Sequence, residues 1–207
     1  MKFTEKVMDI PIVYQAFQNF VYTAKSQETI DDLLSSAKTD SVLDFGCGTG
    51  VYCEKFIDSS YIGIDPLDSC IARAKSKYGE TQSRKFLVGD ETILSNFDDH
   101  KFDLILAMGV LHHMEDGKAS LFLSEATRLL KSNGVLVCLE PLYFEGQSRI
   151  SRFMVSQDRG KYARNELEYK GLFPRGTQGV VLERKLGLLR IPYDQVAIRY
   201  TPKEEVK

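Results

Sequence analysis

The chain has 207 residues, of which 43% are hydrophobic and 27% charged, and its formal net charge is −2. These values predict one soluble globular domain over residues 1–207, and the charge balance gives no overall signature of nucleic-acid binding. No window reaches 18 apolar residues, so we expect no membrane span. Four cysteines without a C-x-x-C pair and three histidines without a zinc spacing predict a reducing, cytoplasmic setting and no metal site.

The first part of the chain is predicted to be helical. Between Ile12 and Ala37 the apolar residues recur every three or four positions, which predicts two helices with a break near Lys25. The first of these helices is rich in aromatic residues, among them Tyr14. Such side chains either pack in the core or cover a ligand, and in the second case Tyr14 would contact the substrate.

Three glycines then follow an apolar run. The run from Ser41 to Phe45 stops at Gly46, Gly48 and Gly50, and a helical pattern from Val51 to Asp58 comes next. This order predicts a buried parallel strand, a tight turn and a helix N-terminus. Glycine accepts a positive φ and lets a ligand approach the backbone, while a helix N-terminus offers free N–H groups. The stretch therefore predicts a nucleotide site, although a purely structural turn could use the same glycines.

The next two predicted strands end in acids. The second strand, Tyr61 to Ile64, runs into Asp65, which lies 19 residues after Gly46 and can accept hydrogen bonds from the two ribose hydroxyls of an adenosine. The third strand, Lys85 to Val88, is followed by Asp90, with Glu91 after it. Acids at the ends of successive parallel strands meet at one edge of the sheet, where open α/β sheets bind ligands.

The remaining pattern completes an α/β fold. A fourth strand is followed by two adjacent histidines, His112 and His113, and Lys131 to Gly134 is expected to end the helix before the fifth strand. The other predicted elements are helix Leu67 to Tyr78, strand Phe102 to Ala107, helix Gly117 to Leu130, strand Val135 to Leu139, helix Glu166 to Phe173, and strands Val180 to Leu189 and Val196 to Tyr200.

Several of these motifs resemble one enzyme family. The G-x-G-x-G spacing, with Asp44 two residues before the first glycine, is similar to motif I of the class I S-adenosylmethionine (SAM) methyltransferases. The stretches FDLILAMGVLHHMED and LLKSNGVLVCLEP resemble the small-molecule members of types 11 and 25. The resemblance covers about Asp40 to Pro141. It implies a Rossmann-like, doubly wound, seven-stranded and mostly parallel sheet with helices on both faces and an antiparallel last strand.

The resemblance also divides the chain by role. It implies an N-terminal helical lid (residues 1–40), a SAM-binding core (41–141) and a substrate-side segment with the closing strands (142–207). The cofactor is expected to be SAM and the product S-adenosylhomocysteine. The residues expected at the cofactor are Asp44, Gly46, Cys47, Gly48, Gly50, Asp65, Pro66, Asp90, Glu91 and Met108.

The acceptor is expected to be a small molecule methylated on oxygen. A hydroxyl acceptor needs a group that takes its proton, and His113 is the candidate base because imidazole titrates near neutrality. His112 is the candidate substrate contact beside it. Alternatively, one histidine packs against the cofactor and the other faces solvent.

Positive charge is concentrated after the fifth strand. From Tyr143 to Lys207 there are 13 Lys and Arg against 8 Asp and Glu. Arginine suits carboxylate or phosphate, so Arg159 and Arg164 are predicted to meet an anionic acceptor, unless this segment is simply a solvated surface. No nucleic-acid partner is expected, and the oligomeric state stays open.

Two other functions compete with methyl transfer. An NAD(P)-dependent oxidoreductase would carry G-x-G-x-x-G, whereas the third glycine comes one residue earlier here. A non-catalytic SAM-binding partner subunit would share the fold, but such subunits often lose the glycines or the ribose acid, which this chain keeps.

Overall fold

A computed structural model describes residues 23–35 and 37–202 of the chain. Seven strands form one sheet in the order β3-β2-β1-β4-β5-β7-β6. The first five run parallel to one another, and β7 is antiparallel to both β5 and β6. The strands are β1 (Ser41–Phe45), β2 (Ser60–Asp65), β3 (Arg84–Val88), β4 (Phe102–Met108), β5 (Leu130–Pro141), β6 (Val180–Lys185) and β7 (Gln195–Tyr200). This topology confirms the predicted fold class.

Helices cover both faces of the sheet. Leu43 of β1 belongs to an apolar cluster shared with Phe122, while its neighbour Val42 belongs to a second cluster shared with Ile30 and Ile71. Because adjacent strand residues point to opposite faces, the two clusters lie on opposite sides. The helices are α1 (Ala24–Ser35), α2 (Asp68–Tyr78), α3 (Asp116–Leu129), α4 (Arg149–Ser156) and α5 (Glu166–Gly171), with short 3-10 helices at Val51–Phe56, Glu91–Asn96 and Leu111–His113.

The two central strands account for the position of the site. β1 and β4 are neighbours, with Leu43 opposite Ile105, and both residues are completely buried. Strands buried on two faces require continuous apolar runs, which is the pattern the sequence shows. Their carboxyl ends, together with those of β2 and β5, form one border of the sheet, which we call the carboxyl edge.

Two predicted local elements differ in the structure. The helix expected from Val51 to Asp58 is a single 3-10 helix at Val51–Phe56. The helix end expected at residues 131–134 is instead part of β5, since Leu130 is extended and pairs with Phe102 while Val135 pairs with Leu104. The residues between them therefore bulge opposite the single residue Asp103.

A buried acid lies opposite this bulge. The Oδ2 atom of Asp103 accepts hydrogen bonds from Lys131 Nζ at 2.8 Å and from Ser41 Oγ at 2.6 Å. The lysine is the first of the extra residues at the start of β5. The bulge thus joins β1, β4 and β5 at the border opposite the carboxyl edge.

Helix α4 was not predicted, because only isolated apolar residues mark it. The Oγ atom of Ser148 accepts from Ser151 N at 3.1 Å and so caps its N-terminus. Val155 is buried on one side, while Phe153 is exposed.

Within the described residues, no helix is both long and apolar enough to cross a membrane.

The predicted first helix and Tyr14 lie outside the described residues. The second predicted helix is present as α1, which begins at Ala24 and has Ile30 and Leu34 buried.

All four cysteines are free, and Cys138 is buried as its apolar surroundings predict.

Candidate functional site

The glycine loop connects β1 to the first 3-10 helix. Gly46, Gly48 and Gly50 have φ values of 73°, 53° and 79°, a region that side chains disfavour. A Cβ atom on Gly46 would overlap the Val110 side chain, and one on Gly50 would lie 2.9 Å from the Phe86 ring. A Cβ on Gly48 would meet nothing within 4 Å. The loop therefore packs tightly at both ends and faces open space at Gly48.

Asp65 lies against this loop at the end of β2. Its Oδ2 accepts from Gly48 N and its Oδ1 from Leu67 N, both at 2.9 Å. Burial raises the pKa of Asp65, and the two backbone bonds act in the opposite direction. Each carboxylate oxygen has two acceptor positions, so one remains on each oxygen. The arrangement therefore fits a ligand with two adjacent hydroxyls, such as a ribose.

Asp44 occupies a different environment from Asp65. It is 1% exposed, and its Oδ2 accepts from the Tyr61 hydroxyl at 2.6 Å. Burial raises the pKa of Asp44 to about 7, the Tyr61 hydrogen bond lowers it, and the charge of Asp65 adds to the rise. Asp44 is thus part of the core at the end of β1, next to the loop.

The other residues predicted at the cofactor lie at the ends of β2, β3 and β4 or in the loop. Asp90 is exposed and caps the following 3-10 helix, since its Oδ1 accepts from Thr92 N at 3.0 Å. Glu91 is buried, with one carboxylate oxygen 3.7 Å from Lys118 Nζ. Cys47 is buried, Pro66 exposed and Met108 half-buried.

A second cluster is built around Glu140, at the end of β5. This carboxylate is completely buried. Its Oε1 accepts from Val110 N at 2.8 Å and Leu111 N at 2.9 Å, and its Oε2 accepts from His112 N at 3.2 Å. Oε2 also lies 2.7 Å from His112 Nδ1. Glu140 therefore fixes both the backbone and the side chain of the turn that follows β4.

The other ring nitrogen of His112 meets a second acid. His112 Nε2 lies 3.1 Å from Asp158 Oδ1, and Asp158 Oδ2 accepts from the Tyr193 hydroxyl at 2.7 Å. Burial opposes a charge on His112, but hydrogen bonds to Asp158 and Glu140 outweigh it and raise its pKa to about 9. Burial likewise opposes the charge on Asp158, whose pKa is nevertheless lowered by His112. The two residues form an ion pair at neutral pH.

His113 has the opposite electrostatic character. Its ring centroid lies 4.1 Å from that of His112. Desolvation by the surrounding protein, and then the charge of His112, lower the pKa of His113 to about 4, although the residue keeps an exposed surface. At neutral pH His113 is therefore an uncharged imidazole that can accept a proton.

His112, His113 and Asp158 place possible metal-binding atoms within 4.8 Å of one another. Both nitrogens of His112, however, already face carboxylates at hydrogen-bond distance. A protonated imidazole has no lone pair for a metal, so the cluster is explained without one.

Arg164 and Arg159 occupy different environments. Arg164 is buried, and its five N–H groups donate to the Asp116 carboxylate and to three backbone carbonyls, those of Leu111, Tyr162 and Met114. These bonds use every donor of the guanidinium group. Arg159 is exposed, and its charge affects the pKa of both His113 and Cys70.

Sequence analysis missed the two acids that organise this cluster. Glu140 directly follows an apolar strand, as Asp65 does, and that position was an available signal. Asp158 lies in a polar segment 46 residues after its partner His112, and nothing in the local pattern distinguishes it.

Known proteins share this core. Residues 43–138 match the family model of a methyltransferase domain. This central part of the chain is therefore similar to a methyltransferase domain. The chain is 34% identical over 125 residues to a ubiquinone biosynthesis O-methyltransferase of Rhodopseudomonas palustris (strain TIE-1), in a match covering 59% of the chain and 45% of the relative. The chain thus spans about half the length of the curated relatives it matches.

Solved structures share the fold of this chain. One is a chain from the complex between the Haloferax volcanii Trm112 methyltransferase activator and a methyltransferase, with a TM-score of 0.70 and 19% identity over 98% of this chain and 99% of that one. Another is a SAM-dependent methyltransferase of Methanosarcina mazei, with a TM-score of 0.64 and 19% identity over 85% and 98%. At such identities the likeness establishes the fold alone.

Proposed function

We propose that this protein transfers a methyl group from SAM to a hydroxyl of a small, anionic acceptor. The observation that carries the proposal is the direct packing of two loops at the carboxyl edge. Gly46, in the glycine loop, leaves no room for a side chain next to Val110, which begins the turn bearing His113. A ligand held by Asp65 and Gly48 would therefore lie within reach of His113.

The residues of the loop have distinct roles in this proposal. The free acceptor positions of Asp65 would hold the ribose hydroxyls of SAM, and the open space at Gly48 would take its methionine part. Asp90 would accept from the adenine amino group. When bound, SAM supplies a methyl group that its sulfonium already activates.

The turn after β4 would serve the acceptor. His113 is neutral at pH 7 and would take the proton of the acceptor hydroxyl. Arg159, whose charge affects the pKa of His113, would face the negative group of the acceptor. Arg164 is outside this proposed site because its guanidinium donors are all engaged within the protein.

Calorimetry with SAM tests the cofactor half of the proposal. Asp65→Ala should weaken binding by about 2–4 kcal/mol, because two charge-assisted hydrogen bonds are lost. Asp68→Ala is the matched control, since this acid is exposed and begins α2 three residues later. Equal affinity of the folded Asp65→Ala protein would contradict the ribose assignment, and binding of NAD⁺ or NADPH without SAM would favour an oxidoreductase.

Product formation tests the transfer itself. Release of S-adenosylhomocysteine should be measured with a panel of small phenols and hydroxylated carboxylic acids. His113→Gln should lower kcat by about 10²-fold or more if this imidazole is the general base. SAM binding without transfer to any member of the panel would favour a non-catalytic SAM-binding subunit.

A further inference from the structure

Residues 158–164 lie across the turn that carries both histidines. Tyr162 N donates to His112 O at 2.9 Å, and Arg164 Nη1 donates to Leu111 O at 2.9 Å. At the start of this segment, Asp158 Oδ1 accepts from Gly160 N at 2.8 Å and lies 3.1 Å from His112 Nε2. The segment is therefore attached to the turn at its beginning, middle and end.

Gly160 shows how close this approach is. A Cβ atom here would overlap the His112 ring and lie 2.6 Å from the His112 carbonyl oxygen. Its backbone φ lies outside the left-handed region, so the glycine is not explained by an unusual dihedral angle. The imidazole instead packs directly on the segment's backbone, which leaves no space for a side chain.

On the side of the sheet, His112 is held by Glu140. Glu140 binds its backbone N–H and its ring, and is itself fixed by the end of β5. Among the residues that the structure describes, the other ionisable groups around the pair are Tyr193 on Asp158, Tyr169 and Cys138 near Glu140, and His113 with Arg159 near the ring. His112 thus links the end of β5 to the segment through two carboxylates, one at each nitrogen of its ring.

We propose that His112 is a positioning residue whose imidazolium, bridging Glu140 and Asp158, holds residues 158–164 and hence Arg159 beside His113. It does not contact the acceptor in this arrangement, because both of its ring nitrogens are occupied. The statement that this is the acceptor side rests on the proposed function. The bridge itself rests on the geometry alone.

Proton NMR can test the bridge without any activity. The chain has three histidines, so each ring can be assigned by replacing it with glutamine and then followed through a pH titration. His112 should titrate above its ordinary pKa and His113 below. In His112→Gln the His113 pKa should rise towards its ordinary value, because a positive neighbour has been removed. A His112 ring that titrates at or below its ordinary value in the wild type would overturn the bridge.

Gly160→Ala tests whether the bridge positions the segment. The added methyl group changes no charge but must push the segment from the ring, so the pKa of His112 should fall. The value of kcat/KM for the acceptor should drop about 10- to 100-fold, with SAM affinity unchanged. Gly171→Ala is the matched control, since a Cβ there meets nothing within 4 Å.

A second variant covers the case in which Gly160→Ala does not fold. Asp158→Asn keeps the shape of the side chain but removes one of the two negative charges, and it should lower the His112 pKa and the acceptor kcat/KM in the same way. Unchanged titration and kinetics in the folded variant would overturn the positioning role. If no acceptor is methylated at all, the proposed function fails, while the titrations still decide the bridge.

Discussion

The two halves of the carboxyl edge shift the pKa values of their acids in opposite directions. In the half formed by the glycine loop, the pKa values of Asp44 and Asp65 are raised, chiefly by burial. In the half formed by the turn after β4, the pKa of Asp158 is lowered, since His112 outweighs its burial. Within the described residues, Asp44 and Asp65 have uncharged hydrogen-bond donors and no ion pair, whereas Asp158 has a cation.

The acids of the glycine-loop half keep acceptor positions for a ligand, whereas the acids of the other half are paired with His112. Acids without a cationic partner retain acceptor positions and cost stability, a combination often found at binding sites. An acid paired with a protonated histidine stabilises the fold but has less capacity left for a ligand. The loop half therefore suits a ligand rich in hydroxyls, and the other half suits the fixing of a backbone segment.

The largest effect is expected from removing Glu140. Glu140→Ala leaves the charged ring of His112 and three backbone N–H groups without their acceptor, and should lower the free energy of unfolding by about 3–5 kcal/mol. Urea unfolding at pH 7 measures this change. The matched control is Glu145→Ala, an exposed acid that should change stability by less than about 0.5 kcal/mol. If Glu140→Ala lowers the free energy of unfolding by less than about 1 kcal/mol, this carboxylate does not hold the turn after β4 in place.

An intermediate effect is expected where the two halves touch. Gly46→Ala combines a left-handed backbone with overlap against Val110, and should cost about 2–4 kcal/mol of unfolding free energy. Gly48→Ala shares the positive φ without the overlap, and should cost only about 1–2 kcal/mol. Urea unfolding of both variants gives the difference. Equal losses would mean that the contact between the halves is loose.

The smallest effect concerns Asp44 and depends on pH. Because its folded pKa of about 7 exceeds the ordinary 3.8, its protonation favours the fold. That contribution is fully present below about pH 4 and is lost as the pH rises through about 7. Tyr61→Phe removes the hydroxyl that donates to Asp44. It should cost about 1 kcal/mol at pH 5, where Asp44 is neutral, and about 1.5–3 kcal/mol at pH 9, where it is charged.

Unfolding by urea at the two pH values checks this prediction. Tyr78→Phe is the control, because Tyr78 OH accepts an exposed hydrogen bond from Lys77, and its loss should be small at both values. His112 is present in the wild type and in both variants. Its titration therefore affects all three free energies of unfolding equally and cancels when they are subtracted. A loss for Tyr61→Phe that is larger at pH 5 than at pH 9 would contradict the sign argued for Asp44.

The sequence predicted the elements whose pattern is local. The five parallel strands follow from apolar runs that end in glycine or acid, and the family follows from the motif around Asp44 and Gly46. The sheet confirms the strands, and residues 43–138 match the family model of a methyltransferase domain. The assignment of single residues to cofactor and acceptor stays a prediction.

What the sequence did not predict depends on long-range pairing. Residues 131–134 form a bulge in β5 in which Lys131 donates to Asp103 of another strand, whereas a local pattern of Asn and Gly favours a helix end. Arg164 was predicted to meet an anionic acceptor, or else to lie in a solvated surface, yet its five donors are engaged within the protein and it is buried. Such pairings are visible only when the strands and loops are in place.

The position of β7 has a consequence for how the chain is made. This strand lies between β5 and β6 although it follows both in the sequence, and it pairs with Leu136 to Pro141 on one side. During synthesis, this edge of β5 therefore has no partner strand until residues 195–200 have left the ribosome. A chain interrupted before that point would expose an open strand edge next to the centre of its sheet, and such edges recruit other chains into aggregates. The sheet can close only after its inner strand arrives, so slow or incomplete translation is the condition under which this fold is most vulnerable.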